Sequence, residues 1–115
     1  MRIVNRQTFL SLPENTVYSI SHWTPDGGST SITDLKIKGP TVAGADYYET
    51  SIPDFDFNSI DEAGEEIERS IKMGWSVDPD FNVETRNSMF DEAQMFAVWE
   101  KEDIERLIAR LKECL

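Results

Sequence analysis

The chain predicts an α+β domain with a mostly antiparallel sheet of four to five strands, two main helices packed on one face, and a short N-terminal helix. Three observations lead there. Early segments rich in β-branched and aromatic residues follow one another through turns, without crossover helices, which favours antiparallel pairing. Two later segments repeat apolar residues at helical spacing. The 115 residues suit a single core, so residues 1–115 are expected to form one domain.

Asn5 can cap a short helix over 6–12 that carries Phe9, Leu10 and Leu12, and Pro13 stops it. Residues 16–23, Thr-Val-Tyr-Ser-Ile-Ser-His-Trp, read as a strand. Pro25-Asp26-Gly27-Gly28 is a turn signal. The next strand runs over 31–38 and alternates Leu35 and Ile37 with Lys36 and Lys38. With the two aliphatic residues inward, both lysines point outward. Gly39-Pro40 is expected to end that strand, and residues 46–52 form the third. Ser59 with Glu62 matches a capping box, followed by Ile60, Ala63, Ile67 and Ile71 and a terminating Gly74. Loops with one short strand over 82–85 come next. Residues 95–100 read as a buried strand, with Trp99 in the core or an interface. Residues 103–114 form a last helix with the stripe Ile104, Leu107, Ile108 and Leu111.

Charge is distributed unevenly. The net charge is −11, yet residues 1–45 hold three acidic and four basic side chains while residues 46–115 hold 19 and seven. The acidic excess argues against nonspecific binding to nucleic acid or to an anionic membrane. No apolar run reaches the ~20 residues a membrane-spanning helix needs. The first residues lack the apolar core of a signal peptide, and a single cysteine, Cys114, allows no internal disulfide. These features predict a cytoplasmic protein.

The near-neutral N-terminal part offers a candidate anion site. Lys36 and Lys38, on alternate strand residues, sit roughly 7 Å apart and can neutralise phosphate. Trp23, Tyr47 and Tyr48 can stack a base, and His22 and Arg86 can assist. The ordinary role of such lysines is solubility and edge protection, and that of His22 is a strand residue beside a turn. A second candidate is the run from Asp46 to Glu68, nine carboxylates before the first basic residue, Arg69. Within it Asp54, Asp56, Glu62, Glu65, Glu66 and Glu68 can dock on a basic protein or mimic a nucleic-acid backbone. A calcium loop over 54–65 is disfavoured, because Ser59 stands where glycine makes the sharp turn. There is no zinc-ligand spacing, no Cys–His pair and no Gly-x-Ser-x-Gly elbow. No metal, cofactor or catalytic residue is assigned.

Four segments are familiar together: residues 5–13, Asn-Arg-Gln-Thr-Phe-Leu-Ser-Leu-Pro; Leu-Lys-Ile-Lys-Gly over 35–39; Asp46-Tyr47-Tyr48; and the run 89–104 containing Phe-Asp-Glu-Ala-Gln-Met-Phe-Ala-Val-Trp-Glu. The set resembles a group of small proteins encoded by phages and prophages. The resemblance covers most of the chain, while the Gly- and Ser-rich turn over 24–31 departs from it. It implies counter-defence in a bacterial host cell. Some such proteins are oligomeric sponges for host immune nucleotide signals, and others inhibit a defence protein directly. The expected function is therefore a non-enzymatic homo-oligomer that sequesters a small anionic cyclic nucleotide. The alternative is an acidic inhibitor of a host defence protein.

Overall fold

The chain enters the sheet before it makes its first helix. The computed structural model describes residues 1–115. Strand β1 (Arg2–Asn5) leads directly into α1 (Arg6–Leu10). The changeover is set by Asn5, whose extended backbone belongs to the strand while its side chain accepts a hydrogen bond from the Thr8 N–H at 2.9 Å. Strands β2 (Val17–Ser21), β3 (Ile32–Val42) and β4 (Asp46–Ser51) follow through turns, then α2 (Ile60–Met73), β5 (Glu84–Arg86), β6 (Met95–Val98) and α3 (Lys101–Lys112). The result is α+β, with six strands in the order β1-β6-β2-β3-β4-β5 and every neighbouring pair antiparallel.

Two strand expectations need correction. The sheet has six strands, because β1 pairs with the late strand β6 and so stands where sequence showed no strand. The second expected strand, over 31–38, does not end at Gly39-Pro40. Strand β3 continues to Val42 by shifting register against β4 between Lys38 and Thr41. A bulge there accommodates Pro40, which has no N–H to donate.

The core is small and aromatic. Phe9 of α1 lies flat on Phe96, centroids 3.9 Å apart, and meets Tyr18 and Tyr47 edge-on at 4.6 and 5.0 Å. Val98 completes this cluster, with Val4, Leu10, Leu12 and Ile20 packed around it. These side chains sit on one face of the sheet, since Tyr18 is opposite Val98, and Ile20 and Val4 flank Phe96. On the other face the Trp99 indole N–H donates to Ser19 Oγ at 3.0 Å, so Trp99 is half-buried against β2.

The expected packing of two main helices on the sheet is not what the structure shows. Short α1 alone makes substantial contact with the sheet. The Ser59 hydroxyl caps α2 through the Glu62 N–H, and Gly74 ends the helix in the left-handed region at φ 71°. The Glu62 carboxylate reaches the Asn58 N–H, one residue beyond the box partner. Helix α2 is thus well terminated, yet none of its residues is buried: Ala63, Glu66 and Ser70 are half-buried, while Ile60, Ile67 and Ile71 are 90%, 44% and 78% exposed.

Candidate functional site

Arg6 and Phe9 lie three residues apart and so share a face of α1. Phe9 fixes that face on the core, and the fixed helix carries Arg6 over the Tyr47 ring, 5.6 Å from its centroid. Arg6 is 3% exposed. Its Nη2 donates to the Ala45 carbonyl at 2.7 Å, the only hydrogen bond of a guanidinium that has five N–H donors. It takes part in none of the ion pairs of the fold. A buried cation without a counterion is costly, and an anion supplied from outside would offset that cost.

Arg6 lines a cavity of about 190 Å³ together with Ile20, Lys36, Tyr47, Glu49, Asn87, Met89, Asp91 and Gln94. The register puts Lys36 there, opposite Tyr18 on β2 and Ser51 on β4. Its Nζ donates to Ser51 Oγ at 3.0 Å and lies 3.5 Å from Glu49 Oε1. The second Glu49 oxygen accepts from the Tyr18 hydroxyl at 2.8 Å and from Asn87 Nδ2 at 3.4 Å. Lys36 is therefore held and neutralised within the chain. The Asp91 carboxylate accepts from the Ala93 N–H at 3.0 Å, and the Gln94 amide donates to the Met95 carbonyl at 2.7 Å. Among the cavity groups Arg6 keeps the most free donor capacity. Burial pushes the Tyr47 phenol up to about 12, with the Glu49 charge adding to the rise. A neutral phenol and a planar guanidinium thus form adjoining walls, a combination suited to bidentate contact with phosphate or carboxylate.

The seven residues expected to bind a ligand do not converge in one chain. Lys36 and Tyr47 line the cavity. Lys38 does not point outward. It is 1% exposed, donates to the Gly39 carbonyl at 3.0 Å and to Thr41 Oγ1 at 2.8 Å, and sits 5.9 Å from the Phe9 centroid. The reason is α1. By seating Phe9 over Tyr18 it covers the lysine face, and Leu35 and Ile37 take the other face, where they are half-buried. Desolvation lowers the Lys38 pKa from its ordinary value, opposed by the Glu14 charge.

His22 is exposed, with Nε2 2.8 Å from Thr33 Oγ1. Trp23 lies against the opposite face, in an apolar groove of about 450 Å³ with Ile3, Ser21, Thr30, Ile32 and Met95. Tyr48 and Arg86 are cross-strand partners on that opposite face. Arg86 is occupied by Asp46, Nε to Oδ2 at 2.6 Å. Asp46 is fully buried and also accepts from the Ser88 N–H at 3.0 Å. Burial pushes its carboxyl up, but the hydrogen bonds from Arg86, Tyr47 N–H and Ser88 N–H outweigh it and hold the pKa below the usual range.

The acidic set is placed differently. Asp54 pairs backbone to backbone with Asp80, and Asp56 lies in the loop that leads to α2. On α2, Glu66 pairs with Arg69 at 2.9 Å and Glu68 with Lys72 at 2.6 Å, while Glu65 has no ion-pair partner within the chain.

Arg6 is the residue that sequence reasoning missed. The signal was present in the three-residue spacing from Phe9, because a core-anchoring Phe at that spacing carries the arginine to the same face. No family model matches the chain, and neither a curated protein nor a solved structure matches it.

Proposed function

We propose that the protein is a non-enzymatic binder of a small anionic ligand of the nucleotide class, acting as a phage-encoded sequestering protein in a bacterial host. The observation that carries this reading is Arg6, a buried guanidinium with one hydrogen bond and no counterion, opening on a cavity walled by Tyr47. The resemblance to phage accessory proteins supplies the biological setting. In this reading Arg6 grips a phosphate, Tyr47 backs the sugar or base, and the Asn87 and Gln94 amides contribute polar contacts. The Lys36–Glu49 pair serves as a neutral wall.

Native mass spectrometry with cyclic di- and trinucleotides and cyclic ADP-ribose isomers tests it. One nucleotide is expected to be retained intact at fixed stoichiometry, and Arg6→Met to weaken it at least tenfold, since a charge-assisted bidentate contact is worth about 1.5–3 kcal/mol. Clean spectra of the free protein with every nucleotide would remove the reading. A second reading, inhibition of a basic host defence protein through Glu62, Glu65, Glu66 and Glu68, draws on the exposed position of α2. It predicts salt-sensitive capture of that partner, abolished by reversing those four carboxylates to lysine.

A further inference from the structure

The chain carries more surface than its mass calls for. Its accessible surface is 8127 Å², whereas a folded monomer of 13.2 kDa exposes about 6,400 Å². Its radius of gyration is 16.5 Å, against about 13 Å for a domain of this length. The excess of roughly 1,700 Å² corresponds to about two standard interface halves of ~800 Å² each.

Two helices offer apolar faces suited to such halves. Helix α2 presents Ile60, Ile67 and Ile71 as one outward stripe, with Gly64 between them and Asp61, Glu65 and Glu68 along it in a shallow groove. Helix α3 exposes Ile108 and Leu111, with Leu115 just beyond its end. Neither helix makes substantial contact with the sheet or with the other. Amphipathic helices whose apolar stripes face water are incomplete folding units, since such a stripe normally faces a core.

We propose that the α2 stripe of one copy is covered by the α3 stripe of a second copy, head to tail. Charge selects this pairing. Helix α2 carries five carboxylates and two cations, and α3 four cations and three carboxylates, so net −3 meets net +1. Pairing α2 with its own copy would set the acidic flanks against each other. Length agrees, since helices of 14 and 12 residues run about 21 and 18 Å. A head-to-tail contact uses two different patches on every chain, which matches an excess of two interface halves, and it closes into a ring when the rotation allows. This surface is separate from the Arg6 cavity, so the inference stands or falls without any ligand.

Sedimentation equilibrium of the ligand-free chain at about 1 to 100 µM provides the test. The wild type is expected at a multiple of 13.2 kDa, and Ile67→Asp/Ile71→Asp at the monomer mass with an unchanged far-ultraviolet circular dichroism spectrum. Glu65→Lys/Glu68→Lys is expected to weaken assembly at least tenfold, and the further changes Lys101→Glu/Lys112→Glu to restore it. A monomeric wild type at 100 µM, or an Ile67→Asp/Ile71→Asp variant that stays assembled or loses its helical signal, overturns the proposal. Failure of the second reversal to restore assembly overturns α3 as the occupant.

Discussion

Phe9 is the residue on which fold and site both depend, so Phe9→Ala is the informative perturbation. Its ring has no exposed surface and touches Tyr18, Tyr47 and Phe96. A buried aromatic removes at least ~150 Å² from water, which at ~25 cal/mol per Å² corresponds to about 4 kcal/mol, inside the range measured for Phe→Ala in cores. A chain of this length is stable by about 6–17 kcal/mol, and one with only 13 buried residues belongs at the lower end. The substitution therefore removes around half or more of the folding free energy. In urea titrations followed by tryptophan fluorescence at fixed protein concentration, the midpoint should fall by about half or more. Phe9→Leu, which keeps most of the volume, should cost only about 1–1.5 kcal/mol. A loss below about 1 kcal/mol for Phe9→Ala would show that α1 does not close the core. It would also remove the reason for placing Arg6 over Tyr47.

Four further outcomes follow from the same geometry. Arg86→Ala leaves the buried Asp46 carboxylate with only the Tyr47 and Ser88 N–H donors and no counterion, and should cost about 2–3 kcal/mol in urea unfolding, below the full value for a buried pair because Arg86 is half-exposed. The native Asp46 pKa lies below its unfolded value near 3.9, so its stabilisation is present at neutral pH and disappears as pH falls below about 4. Acid titration of Asp46→Asn should show a shallower loss. Burial, the largest cause in each case, raises the phenols of Tyr18 and of Tyr47, the latter to about 12. Above pH ~10 the unfolded chain gives up protons that the native chain keeps. Thermal midpoints should then fall steadily from pH 10 to 11.5, and Tyr47→Phe should reduce that slope. Gly39→Ala would place its Cβ 2.9 Å from Tyr48 Cβ and 2.9 Å from Glu84 Oε2. The Glu84 side chain can swing away but the β4 atom cannot, so a loss of about 1–3 kcal/mol is expected. An unchanged urea midpoint would contradict the close approach of β3 and β4.

The features legible in the sequence are those decided locally. Asn5, Ser59 and Gly74 act within a turn of helix, and all three do in the fold what their chemistry dictates. The alternation of Lys36 and Lys38 with Leu35 and Ile37 was equally plain, but alternation gives two faces without saying which is covered. That choice was made by Phe9, far away in the chain, and it went to the lysines. Strand β1 has four residues and is held by a partner 90 or more positions away, so no local pattern announces it. The helical periodicities of α2 and α3 mark both as amphipathic, but periodicity does not identify what covers the stripe, and the sheet does not cover either one. Part of the candidate site was visible through Lys36 and Tyr47. Arg6 was hidden because its burial is a consequence of α1 docking on the core.

An anion approaching this protein meets two opposed fields, and their ranges differ. The negative charge comes from residues 46–115, 19 acidic against seven basic side chains, and lies on α2 and the segments between the helices rather than on α3, which has a net charge of +1. It acts at long range and is screened beyond about 10 Å at 0.1 M salt. The attraction of Arg6 acts at contact, inside a cavity where salt screens little. Raising ionic strength from about 10 to 150 mM should therefore remove more repulsion than attraction. The association rate of a retained nucleotide should increase with salt, the reverse of steering by an exposed basic patch. Stopped-flow measurements across that range separate the two cases. An increasing rate, lost affinity in Arg6→Met and unchanged affinity in a surface variant such as Arg2→Met, at an exposed position outside the cavity and outside α2 and α3, would together place recognition at the buried guanidinium. A rate that falls steeply with salt would mean that exposed cations capture the ligand, and Arg6 would then be a structural residue whose charge is solvated through the cavity.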